Sequence, residues 1–195
     1  MWNRELAIVD IETTGLTARY HRVIEVAVLK IRDGKLIETY STLVDPEVPI
    51  SSFIEELTGI TDRELRYAPT FGAIRRELFG LLDGALFVAH NATFDYGFLR
   101  EEFRRVEMDF SAGCLCTMRL SRRLFPDHRR HSLDAIMGRF GLTCADRHRA
   151  LGDAMVVWDF MKCLETRVQG EELSRAVAGV TKTPAATPAG CCPAT

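Results

Sequence analysis

The sequence lacks a long apolar run, a strong net charge and a cysteine framework. Its 195 residues are 47% hydrophobic and 27% charged, and the formal net charge is −2. A membrane-spanning helix needs roughly 20 apolar residues, and Arg4 and Glu5 interrupt the start of the chain, so we expect no membrane span and no signal peptide. None of the six cysteines forms a C-x-x-C pair. A zinc site is therefore not indicated, and free thiols in a reducing cytoplasm are expected.

Charge is unevenly distributed along the chain despite its small total. Residues 1–96 contain 10 Lys and Arg against 15 Asp and Glu, whereas residues 97–149 contain 11 against 7. A basic segment beside an acidic one is suited to holding a polyanion next to carboxylates that bind metal ions. The alternative is an ordinary charged surface in contact with solvent, and the charge pattern leaves both interpretations open.

The pattern of apolar residues predicts one α/β domain over residues 1–168 and a tail over residues 169–195. Asp33-Gly34 is a strong hairpin signal, so the first three strands should form an antiparallel meander. The predicted strands are Leu6–Ile11, Arg22–Ile31, Leu36–Val44, Ala85–His90 and one that begins at Cys114. The predicted helices are Ser51–Leu57, a short one from Thr61, Phe71–Leu82, Phe94–Arg105, one that runs to Leu120, Ser132–Phe140 and Ala150–Arg167. We therefore expect a mixed five-stranded sheet flanked by helices.

The tail loses its clear hydrophobic pattern after Gly170 and shows no periodicity over Thr181–Thr195. Its last part is rich in Pro, Ala and Thr and contains Cys191 and Cys192. Segments of this composition cannot bury enough apolar surface to fold, so we predict that the tail is disordered.

The first motif is "LAIVDIETTG", which places two carboxylates at the end of an apolar strand. Asp10 and Glu12 are two positions apart, so on a strand they project from the same face, about 7 Å apart along the chain. Burying charge is costly unless it is paired or bound to a metal ion. This spacing favours two carboxylates that converge on hard cations. The alternative is a strand end facing solvent with two incidental acids.

The second motif is "HNATFD", which follows the predicted strand Ala85–His90. Sites in α/β proteins usually form at the carboxyl ends of strands. His90 and Asn91 are suited to orienting the turn by hydrogen bonding, and Phe94 to forming an apolar wall. Asp95 lies near the start of the next helix, where capping of that helix is the alternative role.

The third motif is "HRALGDA". Residues five apart on a helix are separated by about 140°, so His148 and Asp153 would not share a helix face. We therefore predict that His148 lies in a loop before the helix that carries Asp153. The small residues Gly152 and Ala154 allow that helix to approach the sheet closely. The alternative is a polar helix start with a surface histidine.

Together, the three motifs resemble the exonuclease motifs of the DnaQ-like DEDDh 3′–5′ exonucleases, a family that includes the epsilon proofreading subunit of bacterial DNA polymerase III and RNase T. The resemblance covers Leu6–Arg167. It implies an RNase H-like fold and hydrolysis of nucleic acid from the 3′ end to nucleoside 5′-monophosphates. By motif position, it implies that two divalent cations, Mg²⁺ or Mn²⁺, are held by Asp10, Glu12, Asp95 and Asp153, and that His148 is the general base.

The resemblance also implies a surface that binds the terminal nucleotide. Its predicted members are Ile11, Thr13, Thr14, Gly15, His90, Asn91 and Phe94. Five arginines between the second and third motifs are candidates for phosphate contacts further along the strand, with a solvated surface as the alternative. They are Arg119, Arg122, Arg123, Arg129 and Arg130.

Three functions remain open at this point. The favoured one is a DNA exonuclease for proofreading or repair. It would act on a free 3′ end, preferably of a single strand, and its partner would be a DNA polymerase or a repair protein. The second is a 3′–5′ exoribonuclease with the same catalytic core, since one contact to a 2′-hydroxyl can discriminate RNA from DNA. The third is an inactive module that binds nucleic acid or a polymerase. The presence of all five catalytic positions argues against the third.

Overall fold

The computed structural model of the protein describes Trp2 and residues 4–182. The strands are β1 (Leu6–Thr13), β2 (Val23–Arg32), β3 (Lys35–Leu43), β4 (Leu86–Ala89), β5 (Cys114–Cys116) and β6 (Thr181–Lys182). The helices are α1 (Ser52–Thr58), α2 (Asp62–Leu65), α3 (Phe71–Leu82), α4 (Thr93–Arg105), α5 (Thr117–Leu124), α6 (Leu133–Phe140), α7 (Ala150–Arg167) and α8 (Gly170–Val180). Within this part of the chain, no helix combines the length and the hydropathy that crossing a membrane requires.

The strands form one mixed sheet in the order β3-β2-β1-β4-β5-β6. β1, β2 and β3 are antiparallel neighbours, as the hairpin signal predicted, with Asp33 and Gly34 both at positive φ in the turn. β4 pairs with β1 in parallel, and β5 pairs with β4 in parallel. The mixed sheet is confirmed, but its strands number six rather than five, because the two-residue β6 pairs antiparallel with β5. A strand of two residues is too short to show an alternating pattern.

The two faces of β1 belong to two separate hydrophobic cores. Leu6 and Ile8 pack in the core that includes α6, α7 and α8, whereas Ala7, Val9 and Ile11 pack in the core that includes α3 and α4. Because side chains alternate along a strand, Asp10 and Glu12 continue the row of Leu6 and Ile8. The acids of the first motif are therefore directed to the side of the sheet that α7 covers.

The segment after α7 is folded up to Lys182, which corrects the predicted disorder of residues 170–182. In α8, Leu173, Ala176 and Val180 are buried and join the same core as α7. These residues follow the 3–4 spacing of an amphipathic helix, but one short apolar stripe next to a Pro-rich end was too weak a signal. Residues 183–195, with Cys191 and Cys192, lie outside the described residues, and the rest of the predicted tail stays a prediction.

Candidate active site

Three of the predicted acids meet at the end of β1. Asp10 and Glu12 come from β1 and Asp153 from the first turn of α7, and one carboxylate oxygen of each lies within 4.8 Å of the others. Asp10 and Glu12 are half-buried, and Asp153 is buried. The helix begins at Ala150, so His148 lies in the preceding loop, as the five-residue spacing required.

The cluster is electrostatically unfavourable without a metal ion, even though the guanidinium of Arg147 contacts Asp153 and opposes the repulsion. Burial, followed by repulsion from Asp95, Asp153 and Glu12, raises the pKa of Asp10 well above its ordinary value. Burial and the charge of Asp153 likewise raise the pKa of Glu12 to about 8. Asp153 Oδ1 is buried and has no hydrogen-bond partner among the described residues. A divalent cation with a preference for oxygen ligands would satisfy that oxygen and stabilise the ionised carboxylates, so these residues fit such an ion.

Asp95 approaches the cluster from the opposite side of the sheet. It lies in the first turn of α4, is 3% exposed, and its charge acts directly on Asp10. Burial raises the pKa of Asp95 to about 8, although backbone N–H groups of Asp95 itself and of Ile11 donate to the carboxylate and oppose the rise. Its oxygens are not part of the group that meets within 4.8 Å. Asp95 therefore borders the three-carboxylate cluster and is tied to β1 through the backbone of Ile11.

Two arginines flank His148 and each contacts a carboxylate. Arg147 donates to Asp153 and, over 2.8 Å, to Asp134 on α6. Arg149 donates to Glu25 on β2. His148 itself is exposed, has a positive φ of 61°, and makes no side-chain hydrogen bond with a described residue. Its imidazole is therefore accessible to solvent, in the loop that leads into the helix of Asp153.

Comparison with known proteins shows which family has this arrangement of motifs. Residues 7–160 match a family described as exonuclease and named after RNase T. The chain belongs to this exonuclease family. The match covers all three motifs, and the predicted membership among DnaQ-like 3′–5′ exonucleases is confirmed.

Curated relatives of the chain include long DNA polymerases. The DNA polymerase III PolC-type of Caldanaerobacter subterraneus subsp. tengcongensis is 36% identical over 162 residues, which are 83% of this chain and 12% of that protein. The PolC-type polymerase of Halalkalibacterium halodurans is 36% identical over 151 residues, which are 77% of this chain and 10% of that protein. The chain thus spans about a tenth of the length of these relatives.

Solved exonuclease structures share the fold. Exonuclease X in complex with 5′ overhanging duplex DNA is 28% identical with a TM-score of 0.66, covering 88% of this chain and 99% of the other. Exonuclease I is 19% identical with a TM-score of 0.79, covering 88% of this chain and 43% of the other. The predicted RNase H-like α/β fold is confirmed by these similarities.

The turn after β1 is closed by its own hydrogen bonds. Thr13 Oγ1 donates to the Gly15 carbonyl over 2.6 Å, and Thr14 Oγ1 accepts from the Arg22 N–H over 3.0 Å. A Cβ at Gly15 would overlap the ring of His21, so any other residue at this position would require that ring to move. The structure thus places these residues beside the carboxylates, and their contact with a nucleotide stays a prediction.

A buried ion pair anchors the same turn to α4. Arg22 Nε donates to Glu102 Oε1 over 2.9 Å, and Glu102 is 1% exposed. Arg105, three positions after Glu102, donates through Nη2 to the Ala18 carbonyl over 2.7 Å. Arg105 thus holds the middle of the segment between β1 and β2, and Glu102 holds its end through Arg22.

The histidine of the second motif, His90, forms hydrogen bonds within the protein through both ring nitrogens. His90 Nδ1 lies 3.0 Å from Thr117 Oγ1, and His90 Nε2 lies 2.9 Å from the carbonyl of His131. A carbonyl only accepts, so Nε2 carries the proton and Nδ1 accepts from the Thr117 hydroxyl. Burial lowers the pKa of His90 to about 4. Both ring nitrogens are thus occupied by protein groups, in agreement with the predicted orientation of the turn, and contact with substrate stays a prediction.

The other two residues predicted from this motif lie nearer the surface. Asn91 is exposed with a positive φ of 67°, and its carbonyl accepts from the Phe94 N–H over 2.9 Å. Phe94 is half-buried and packs against Phe98 with ring centroids 4.8 Å apart. Phe94 is placed to form an apolar wall beside Asp95.

Sequence reasoning assigned no role to Glu25 and Glu102. Glu25 interrupts the apolar strand "RVIEVAVLKI", and Glu102 interrupts the apolar face of α4. A charged residue at a position whose neighbours predict burial is a usable signal, because such a charge needs a partner. The hydrophobic pattern does not indicate which residue pairs with Glu25 or with Glu102.

Proposed function

We propose that this chain is a metal-dependent 3′–5′ exonuclease that removes nucleoside 5′-monophosphates from DNA. The observation that carries the proposal is the convergence of Asp10, Glu12 and Asp153, with Asp95 beside them, in a member of an exonuclease family. The named relatives are DNA polymerases, which supports DNA over RNA and a bacterial cytoplasmic location. Structural relatives were solved with duplex DNA and with a dA16 oligonucleotide, which supports a nucleic-acid strand as ligand.

Two divalent cations, Mg²⁺ or Mn²⁺, would be held by the four carboxylates. The donor set is Asp10, Glu12, Asp95 and Asp153, all oxygen ligands, and the orphaned Asp153 Oδ1 lies among them. When bound, such ions neutralise the phosphate and favour the ionised form of a water molecule. The carboxylates would in turn lose their protons as the ions bind.

His148 would remove the proton from the attacking water. Its imidazole is exposed in the loop that precedes the helix of Asp153, and histidine is suited to proton transfer near neutral pH. The bond that forms joins the water oxygen to phosphorus, and the bond that breaks joins phosphorus to the 3′ oxygen of the preceding nucleotide. The proton passes to His148, and the departing 3′ oxygen takes a proton from solvent. The turn formed by Thr13, Thr14 and Gly15, with Phe94 opposite, would hold the terminal nucleotide.

A nuclease assay tests the function directly. We expect the protein to shorten 5′-labelled single-stranded DNA from its 3′ end with Mg²⁺ or Mn²⁺, and to do so less readily with RNA of the same sequence. EDTA and the Asp153→Asn variant should abolish the ladder. Faster degradation of RNA would replace the DNA assignment with an exoribonuclease. Binding of both strands without cleavage would support the inactive module instead.

A basic groove beside the second motif is suited to the rest of the strand. It has a volume of about 680 Å³, and its lining includes Ala92 and Thr93 together with three exposed cations, Arg100, Arg119 and Lys182, against one exposed acid, Asp109. These cations form no ion pair with any described residue, so their charge is available to phosphates. Of the five arginines predicted to contact phosphates, only Arg119 lines this groove.

Neutralising the groove should weaken binding of long strands. In the triple variant Arg100→Gln, Arg119→Gln and Lys182→Gln, we expect KM for a 20-nucleotide DNA to rise about tenfold and the slope of log KM against log salt to fall by roughly 2. The kcat on a dinucleotide should stay within about twofold, because so short a substrate does not reach the groove.

A matched triple variant controls for the loss of charge alone. Lys35→Gln, Arg63→Gln and Arg76→Gln removes three exposed cations that do not line the groove. We expect a much smaller change in KM and salt slope. Equal changes in the two triple variants would contradict a strand path through the groove.

A further inference from the structure

Glu25 places a fifth carboxylate beside the acidic cluster. It lies opposite Glu12 in the antiparallel register of β1 and β2, so both side chains point to the same face of the sheet. Glu25 is 3% exposed, and its charge contributes to the raised pKa of Glu12. An additional buried acid at this position destabilises the ionised cluster and therefore calls for a role of its own.

Both oxygens of Glu25 are occupied by donors from the two residues that follow His148. Arg149 Nε donates to both oxygens over 3.1 Å, and Arg149 Nη2 donates to Oε1 over 2.8 Å. The backbone N–H of Ala150 donates to Oε2 over 2.9 Å. Because protein donors engage both oxygens, Glu25 acts here as an anchor for the chain rather than as a spare metal ligand.

The anchor fixes the point at which α7 begins. Ala150 is the first residue of α7, and its N–H is one of the groups that a helix cannot satisfy internally. Arg149 occupies the cap position but provides no side-chain cap. Glu25 therefore caps α7 from a neighbouring strand, with a negative charge at the positive end of the helix.

His148 makes few contacts of its own, so its position depends on its chain neighbours: Arg147, which donates to Asp153 and Asp134, on one side, and the Glu25 anchor on the other. Its φ of 61° is in the left-handed region, which is unfavourable for residues other than glycine. Its side chain makes no hydrogen bond with a described residue, and the residue that follows it is the one that Glu25 holds. Asp153, in contrast, lies within α7, where Ala154, Val156 and Val157 are buried against the sheet. Loss of the anchor should therefore displace His148 more than Asp153.

We propose that Glu25 and Arg149 are positioning residues that hold the backbone of His148 in the conformation from which its imidazole reaches the attacking water. The inference rests on the proposed function, in which His148 is the general base. It separates the two residues from the metal ligands: their loss should lower kcat through His148 and leave the metal affinity of the carboxylates intact.

A double-mutant cycle tests the coupling. We expect Arg149→Gln to lower kcat by roughly 10- to 100-fold, within the contribution that a positioned base makes, and to change KM less than about threefold. In the His148→Ala background, the same change should cost less than about threefold, because the base on which the anchor acts is already absent. Arg149→Lys keeps the charge but loses the bidentate geometry, so its kcat should be intermediate.

Two further measurements exclude a merely structural effect. The Mn²⁺ affinity of Arg149→Gln, measured by electron paramagnetic resonance, should stay within about threefold of the parent value, while amide hydrogen exchange over residues 145–150 becomes faster. Arg104→Gln, which removes an exposed ion pair with Glu101, should change neither. If Arg149→Gln is poorly folded, Glu25→Gln serves in the same cycle, since its amide oxygen can still accept from the Ala150 N–H.

The outcomes separate this inference from the proposed function. Multiplicative losses in the cycle, or a fall in Mn²⁺ affinity that matches the fall in kcat, would overturn the positioning role while the enzyme itself remains established. An unmodified protein without nuclease activity would overturn both. A non-additive cycle with unchanged Mn²⁺ affinity would support the anchor.

Discussion

Replacing Asp10 with asparagine should abolish nuclease activity and at the same time stabilise the metal-free fold. The carboxylate lies between Glu12, Asp95 and Asp153, and both burial and those charges raise its pKa. An asparagine keeps the shape but removes the charge. We expect activity with Mg²⁺ to fall by at least about 10³-fold, since metal ions supply several kcal/mol of transition-state stabilisation and each tenfold in rate is about 1.4 kcal/mol.

The stability of Asp10→Asn should change in the opposite direction. Asparagine removes a carboxyl group whose ionisation the folded state disfavours, so Tm in EDTA should rise by a few degrees, since about 1 kcal/mol corresponds to ~2–4 °C for a domain of this size. Asp127→Asn, which removes an exposed acid, should alter neither activity nor Tm. Thermal unfolding in EDTA and a single-turnover nuclease assay measure the two effects. A lower Tm in EDTA for Asp10→Asn than for the unmodified protein would contradict electrostatic repulsion within the cluster.

The metal-free protein should lose stability as the pH rises from 6.5 to 8.5. The pKa of Glu12 and that of Asp95 are raised from ordinary values of 4.5 and 3.8 to about 8 in the folded state. A group with a raised folded pKa contributes stability that is fully present below its unfolded pKa and is lost as the pH rises through the folded pKa. His90 has the opposite shift, from 6.5 to about 4, so its contribution is lost below pH 6.5 and does not affect this interval.

The size of the loss follows from proton linkage. Each proton retained by the folded state costs about 1.4 kcal/mol per pH unit, so the two carboxyl groups together should cost on the order of 2–4 kcal/mol over this interval. That corresponds to a fall in Tm of roughly 5–15 °C in EDTA. Mg²⁺ or Mn²⁺ should reverse most of the loss, and should raise Tm more at pH 8.5 than at pH 6.5, because ion binding releases the protons.

Differential scanning fluorimetry at both pH values, with EDTA and with Mn²⁺, measures how the Tm depends on pH and how far the metal ion raises it. Glu12→Gln removes one of the carboxyl groups with a raised pKa and should make the Tm in EDTA less dependent on pH. Equal stabilisation by Mn²⁺ at pH 6.5 and 8.5 would count against ionised carboxylates as the ligands. A flat Tm in EDTA over the same interval would count against the raised pKa values.

The sequence by itself determined the fold and the chemistry-bearing motifs. A short run of apolar residues ended by Thr-Thr-Gly located β1, and the two-residue spacing of Asp10 and Glu12 placed both on one face of it. The five-residue spacing of His148 and Asp153 excluded a common helix face, and α7 does begin between them. These inferences succeed because strand and helix periods are local properties, readable from a few consecutive residues.

Only the tertiary structure decided which distant residues support the site. Arg149 and Glu25 are 124 positions apart, and Arg22 and Glu102 are 80 apart. A periodic pattern shows that such a charge is buried, but many oppositely charged residues are available as its partner, and the choice depends on how strands and helices pack. His90 illustrates the same limit, because the carbonyl that receives its Nε2–H belongs to His131, brought close by the chain beyond α5. Burial and periodicity can be predicted from consecutive residues. The partner of a buried charge or donor depends instead on how segments remote in sequence pack together.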